Sequence, residues 1–226
     1  MTGLIAALDT ADADQARAWA DALAPHCGML KLGLEFVLAQ GPVGVRAITV
    51  CPMFLDLKLH DIPNTVAGAV RAVLPLRPQM LTLHAGGGSA MIEAARHAAD
   101  TVQNAPILLA VTVLTSLDSS ALHATGVAGG PRQQVLRLAR LALAAGADGL
   151  VCSAHEASML RDALGGGPVL VVPGIRPPGS VTGDQARTMT PREAVDAGAD
   201  WIVVGRPITS SANPAAAAAA IAAEIA

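Results

Sequence analysis

Short apolar runs, each closed by a polar or glycine-rich turn, alternate along this chain with alanine-rich stretches of helical character. The runs are Leu4 to Leu8, Met29 to Leu32, Phe54 to Leu57, Met80 to Leu83, Ile107 to Leu114, Gly149 to Cys152, Val169 to Val172 and Trp201 to Val204. Most are too short for helices and apolar on both faces, as strands of a buried parallel sheet are. Between them lie helical candidates at Asp12 to Leu23, Thr65 to Leu74, Ser89 to Val102, Arg132 to Ala145, His155 to Leu164, Pro191 to Ala197 and Pro214 to Ile225. The connection from Leu34 to Ile48 has the least clear pattern. Ala215 to Ala220 reads as part of a closing helix, because alanine is the best helix former. Eight strand and helix pairs predict a single-domain (β/α)8, or TIM, barrel over residues 1–226. An open doubly wound sheet is the alternative. Gly86-Gly87-Gly88 and Gly165-Gly166-Gly167 read as loops, since neither completes a Gly-x-Gly-x-x-Gly opening a helix.

The third run carries charge. In Phe54-Leu55-Asp56-Leu57-Lys58-Leu59-His60-Asp61-Ile62-Pro63-Asn64-Thr65, alternation places Asp56 and Lys58 on the same side of a strand. Pro63 suits the first turn of a helix, so Asp61 falls near the strand-to-helix junction. In a barrel the site lies at the C-terminal ends of the strands, and ionisable or polar groups recur there. Asp9 follows the first strand, Lys31 ends the second, His84 ends the fourth, Thr115 and Ser116 follow the fifth, and Arg206 follows the eighth. The longest loops, Thr115 to Pro131 and Gly174 to about Thr190, are candidate lids.

Each feature also has a structural reading. Asp61 would serve as a helix cap, and Asp56 with Lys58 as a buried ion pair. The convergence of Asp9, Lys31, Asp56 and Lys58 on one mouth exceeds what a structural network needs, which favours catalysis. His84 reads as a structural histidine, and none of the other five histidines is a candidate catalyst. Val203-Val204-Gly205-Arg206 fits a phosphate site, in which Gly205 admits an oxygen close to the backbone and Arg206 offers a fork of donors. There, backbone N–H groups and a helix N-terminus would assist. A strand-end arginine paired with an acid is the alternative. Pro173-Gly174-Ile175-Arg176 opens a loop with a second arginine, and Gln185 lies further along it.

Composition narrows the partners. Apolar residues make up 52% of the chain, yet no apolar run approaches a membrane span of about 20 residues. The opening Met1-Thr2-Gly3-Leu4 lacks the basic region of a signal peptide, so a cytoplasmic location is expected. A net charge of −3 with two Trp, two Phe and no Tyr gives no reason to expect nucleic acid. Cys27, Cys51 and Cys152 lack metal-ligand spacing and are expected to be buried thiols.

Asp56-Leu57-Lys58-Leu59-His60-Asp61-Ile62-Pro63-Asn64-Thr65 resembles the Asp-x-Lys-x-x-Asp signature of the orotidine 5′-phosphate decarboxylase family in its bacterial form. Asp9, Lys31-Leu32-Gly33, His84-Ala85, Leu114-Thr115-Ser116, Pro173-Gly174-Ile175-Arg176, Gly183-Asp184-Gln185 and Val204-Gly205-Arg206-Pro207-Ile208-Thr209 follow the family's order and spacing across the chain. The resemblance implies a homodimeric barrel that converts orotidine 5′-monophosphate to UMP and carbon dioxide in pyrimidine synthesis without metal or organic cofactor. It implies that Lys31, Asp56, Lys58 and Asp61 form a charged array, with Asp61 and Thr65 reaching the partner subunit's site. Asp9 and Lys31 would hold the ribose, Thr115 the pyrimidine, and Gln185, Arg176, Gly205 and Arg206 the phosphate. Pro178 stands where relatives often have a polar residue. Two rivals remain: a magnesium-dependent decarboxylase of keto-sugar phosphates sharing Asp-x-Lys-x-x-Asp, and a non-catalytic nucleotide-phosphate binding protein.

Overall fold

The computed structural model describes residues 2–48, 50–177 and 189–226. Eight parallel strands close into a barrel in chain order, β1 pairing with β8. Closure removes the open doubly wound sheet from consideration. The strands are β1 Gly3–Ala7, β2 Met29–Gly33, β3 Met53–Leu59, β4 Met80–His84, β5 Ile107–Val111, β6 Gly149–Val151, β7 Val169–Val172 and β8 Trp201–Val204. The fifth ends at Val111, three residues before the Leu114 expected from apolarity alone.

Both faces of each strand are apolar because each meets a different core. One face fills the barrel, with Ile5, Ala7, Met29, Phe54, Met80, Leu109, Val171 and Val203 in one cluster. The other, carrying Leu4, Ala6, Leu30, Leu55, Leu81, Leu108, Leu170 and Ile202, packs under the helices. Strand period makes the next inward position toward the C-terminal end two residues on. That step leads from Ala7 to Asp9, from Met29 to Lys31, from Phe54 to Asp56 and from Met80 to Thr82. Chemistry therefore begins where the apolar fill stops.

The helices are α1 Ala13–Leu23, α2 Leu34–Arg46, α3 Pro63–Val73, α4 Ser89–Ala99, α5 Ser119–Ala124, α6 Pro131–Ala144, α7 Ala154–Leu164, α8 Pro191–Asp196, α9 Arg206–Thr209 and α10 Pro214–Ile225. Asp12 caps α1 by accepting from the N–H groups of Asp14 and Gln15. The unclear stretch after Leu34 is α2, whose irregularity has a cause: Gly41 breaks it at φ 61°, with Pro42 following. Helix α5 lies inside the expected loop after β5, capped by Asp118. Most of the loop expected after β7 lies outside the described residues.

A paired staple holds the strand N-termini. Asp148, leading into β6, accepts through Oδ2 from the Leu108 N–H of β5 at 2.7 Å and from Arg96 Nη1 of α4 at 2.9 Å. Asp200, leading into β8, accepts through Oδ2 from the Leu170 N–H of β7 at 2.7 Å and from Arg161 Nη2 of α7 at 2.6 Å. Each aspartate closes a Gly-Ala-Asp sequence whose glycine, Gly146 or Gly198, has φ 97° or 92°. Side chains there would also crowd Arg96 and Arg161.

The cysteines correct an expectation. Cys152 is buried, but Cys27 and Cys51 are only half-buried and adjacent, the Cys51 thiol lying 3.7 Å from the Cys27 carbonyl oxygen. Burial, and secondarily Cys51, pushes the Cys27 thiol up to about 12. No helix among the described residues is long and apolar enough to cross a membrane.

Candidate active site

Four side chains from three strand ends form a line of alternating charge. Lys31 Nζ lies 3.0 Å from Asp9 Oδ1 and 3.5 Å from Asp56 Oδ2. On the other side of that carboxylate, Lys58 Nζ lies 2.8 Å from Asp56 Oδ1. The interior pair is the better shielded: side-chain exposure is 10% for Lys31 and 14% for Asp56, against 34% for Lys58 and 57% for Asp9. Burial alone would raise the Asp56 pKa, but Lys31, Lys58 and hydrogen bonds from Lys58 and Thr82 outweigh it and hold the carboxyl below its usual range. Asp56 is thus fixed as an anion between two ammonium groups.

The expected same-side placement of Asp56 and Lys58 is present, though by an irregular route. Pairing of β3 with β4 runs Leu55 to Leu81 and then Leu59 to Leu83, a register shift. Within it Lys58 adopts φ 49°, uncommon for a residue with a side chain. Its backbone N–H donates to Thr82 Oγ1 at 2.8 Å, and the Thr82 hydroxyl lies 3.0 Å from Asp56 Oδ1. Sequence reasoning passed over Thr82. The available signal was a hydroxyl in the apolar run Met80-Leu81-Thr82-Leu83, on the inward face two residues beyond Met80.

These groups open onto a cavity of about 240 Å³. Ala7, Phe54, Val151, Val171 and Val203 make its apolar floor, and Asp9, Lys31, Asp56, Lys58, Thr115, Arg176, Gly205 and Arg206 its polar wall. A small floor with convergent polar groups is the usual form of a ligand site. A larger groove of about 1060 Å³ runs past Arg77, Pro78 and Pro106 at the opposite barrel end, and its lining holds no acidic side chain. The charged mouth is therefore the better candidate.

A profile of the family described as orotidine 5′-phosphate decarboxylase / HUMPS matches residues 2–221. The chain belongs to this family. It is similar to the orotidine 5′-phosphate decarboxylase of Gluconobacter oxydans, at 57% identity over 100% of this chain and 98% of the relative. It is also similar to the enzyme of that name from Thermobifida fusca, at 53% identity over 97% of this chain and 94% of the relative. Among solved structures, orotidine 5′-phosphate decarboxylase from Lactobacillus acidophilus superposes with a TM-score of 0.89 at 36% identity, covering 100% and 99% of the two chains.

The remaining residues implied by the family resemblance divide into two groups. Arg176 and Arg206 line the cavity together, and burial, then the nearby Arg206 charge, pushes the Arg176 guanidinium below its usual value. Gly205 precedes α9, which is only four residues long. A helix that short has little dipole to offer an anion, so backbone N–H groups and arginine remain as the donors. Gln185 lies outside the described residues.

Asp61 and Thr65 stand apart. Among the described ion pairs Asp61 does not reach Lys58; its Oδ1 accepts from the neighbouring Ile62 N–H at 2.7 Å. Nor does Asp61 cap α3, whose N-cap position is Ile62. Both residues instead border a shallow concavity of about 330 Å³ on the other side of Lys58, with Leu57, His60 and Val66. His84 accepts from the Gly86 N–H through Nδ1 and stacks on His60, an environment suited to a structural histidine.

Proposed function

We propose that this chain decarboxylates orotidine 5′-monophosphate to UMP and carbon dioxide, without metal or organic cofactor, as a step of de novo pyrimidine synthesis. The observation that carries the reading is the line Asp9, Lys31, Asp56 and Lys58 above an apolar floor. The names of the full-length relatives supply the substrate.

Breaking the bond between the pyrimidine's sixth carbon and its carboxylate leaves the electron pair on that carbon, with no adjacent electron sink. Stabilisation must then come from fixed charge in a shielded site. Lys58 faces the developing carbanion and gives it a proton, while Asp56, itself paired with Lys31, holds the ammonium in place. Asp56 also repels the substrate carboxylate, a stress that ends when neutral carbon dioxide leaves. We treat this as secondary to carbanion stabilisation.

Asp9 and Lys31 hold the ribose hydroxyls, and Thr115 meets the pyrimidine. Arg176, Gln185, Gly205 and Arg206 take the phosphate, and a dianion between the two guanidinium groups relieves their repulsion. In a homodimer, Asp61 and Thr65 complete the neighbouring site. Asp61 is exposed and accepts from the Ile62 N–H, and Ile62 beside it leaves 67% of its surface uncovered, which suits an interface. The reading places the enzyme in the cytoplasm.

The test is absorbance-monitored turnover of orotidine 5′-monophosphate in excess EDTA, with Lys58→Ala beside the parent. Metal-independent turnover by the parent and a loss of about a thousandfold or more in the variant are expected. A near-parental rate in Lys58→Ala removes Lys58 as proton donor. The family description also takes in HUMPS members; activity on keto-sugar phosphates that EDTA abolishes would replace this reading with the magnesium-dependent one.

A further inference from the structure

We propose that Thr82 is a positioning residue for the proton-transfer step, holding the Lys58 backbone and the Asp56 carboxylate in register through one hydroxyl. This role rests on the decarboxylase reading above. Thr82 is fully buried, and its oxygen has two partners, the Lys58 N–H at 2.8 Å and Asp56 Oδ1 at 3.0 Å. A backbone N–H can only donate and an ionised carboxylate can only accept, so the hydroxyl proton points at Asp56. The direction of the relay is fixed.

The β3–β4 ladder shows why a hydroxyl is needed. Leu55 pairs with Leu81 and Leu59 with Leu83, so Asp56, Leu57 and Lys58 together face Thr82 alone. The extra length turns Lys58 into the left-handed region at φ 49° and denies its N–H a regular ladder partner. Thr82 Oγ1 supplies that partner. The same hydroxyl then donates to the oxygen that receives Lys58 Nζ at 2.8 Å. Backbone and ammonium of Lys58 are therefore tied to one point on β4, and the strained conformation persists because its surroundings determine it.

Thr82→Val keeps the branched shape and removes the hydroxyl, leaving a buried N–H and a carboxylate oxygen each short of a partner. With the parent turning over orotidine 5′-monophosphate, the valine variant should lose kcat by about tenfold to a hundredfold, with KM within about threefold. The acid limb of its kcat profile should move to higher pH, because Asp56 loses a donor that favours its ionised form. Thr82→Ser should restore both rate and limb, which a merely space-filling role would not require. Thr82→Ala replaces the valine variant if circular dichroism shows the latter unfolded. A hydroxyl-free folded variant with kcat within about twofold of the parent and an unmoved limb overturns the proposal, as does a serine variant no better than valine. A parent without turnover instead overturns the decarboxylase reading, and this role with it.

Discussion

The imidazoles of His60 and His84 lie stacked beside the charged mouth, their centroids 5.0 Å apart and their planes within 8° of parallel. Burial first, and then His60 and Lys58, pushes the His84 pKa below its ordinary value. A pKa lower in the folded than in the unfolded chain means that neutral His84 favours folding. That contribution is present above the ordinary histidine value of about 6.5 and is lost as pH falls through the lower folded value. Thermal midpoints measured between pH 7 and pH 5 should therefore fall more steeply for the parent than for His84→Asn, whose amide oxygen can still accept from the Gly86 N–H. Parallel profiles would remove His84 as the source.

The paired staple should matter for stability and not for chemistry. Asp200→Ala strands the Leu170 N–H and leaves Arg161 only its backbone carbonyl acceptors, and Asp148→Ala strands the Leu108 N–H and leaves Arg96 its pair with Asp100. Both aspartate side chains are over 40% exposed, so water softens the loss. About 1–2 kcal/mol is expected from each, and additivity in the double variant, since the two staples share no partner. Calorimetry reads the loss. Unchanged kcat at low temperature checks that the staples act at the end of the barrel away from the site.

Strand positions were legible because barrel strands are apolar on two faces and short, which no helix among the described residues imitates. Asp9, Lys31, Asp56 and Lys58 were legible because each charge stands inside the C-terminal part of an apolar run or just past it. Thr82 was not, since a threonine within a strand looks like an ordinary strand former, and only the shift of β3 against β4 gives its hydroxyl two partners. Repetition of Gly-Ala-Asp before two strands was visible, but its meaning depends on Arg96 and Arg161, which lie 52 and 39 residues earlier. Leu114 looked like strand because apolarity does not mark where backbone pairing ends. The separation of Asp61 from Lys58 could not be read from the Asp-x-Lys-x-x-Asp spacing, because it rests on the Asp61 carboxylate turning to the Ile62 N–H at the entry to α3.

The arginine pair should act through the phosphate and not at the reacting carbon. Arg206→Ala is expected to raise KM for orotidine 5′-monophosphate about tenfold or more and to lower kcat as well, because remote binding energy positions the ring. Orotidine itself, lacking the phosphate, should be turned over equally poorly by parent and variant. A variant impaired equally on both substrates would place Arg206 in general structural support instead.

The position of Asp61 gives a test of shared sites. If Asp61 completes the site of the partner subunit while Lys31 serves its own, Lys31→Ala and Asp61→Ala are each inactive as homodimers but complementary when mixed. A hybrid dimer then has one site carrying both lesions and one carrying neither. With free exchange of equal amounts, half the dimers are hybrid, and about a quarter of the parental sites should return. Subunit exchange is followed independently by mass spectrometry of differently tagged chains. Full exchange without recovered turnover would return Asp61 to its own chain's site, where the turn at Ile62 would have to reorganise before that carboxylate could reach Lys58.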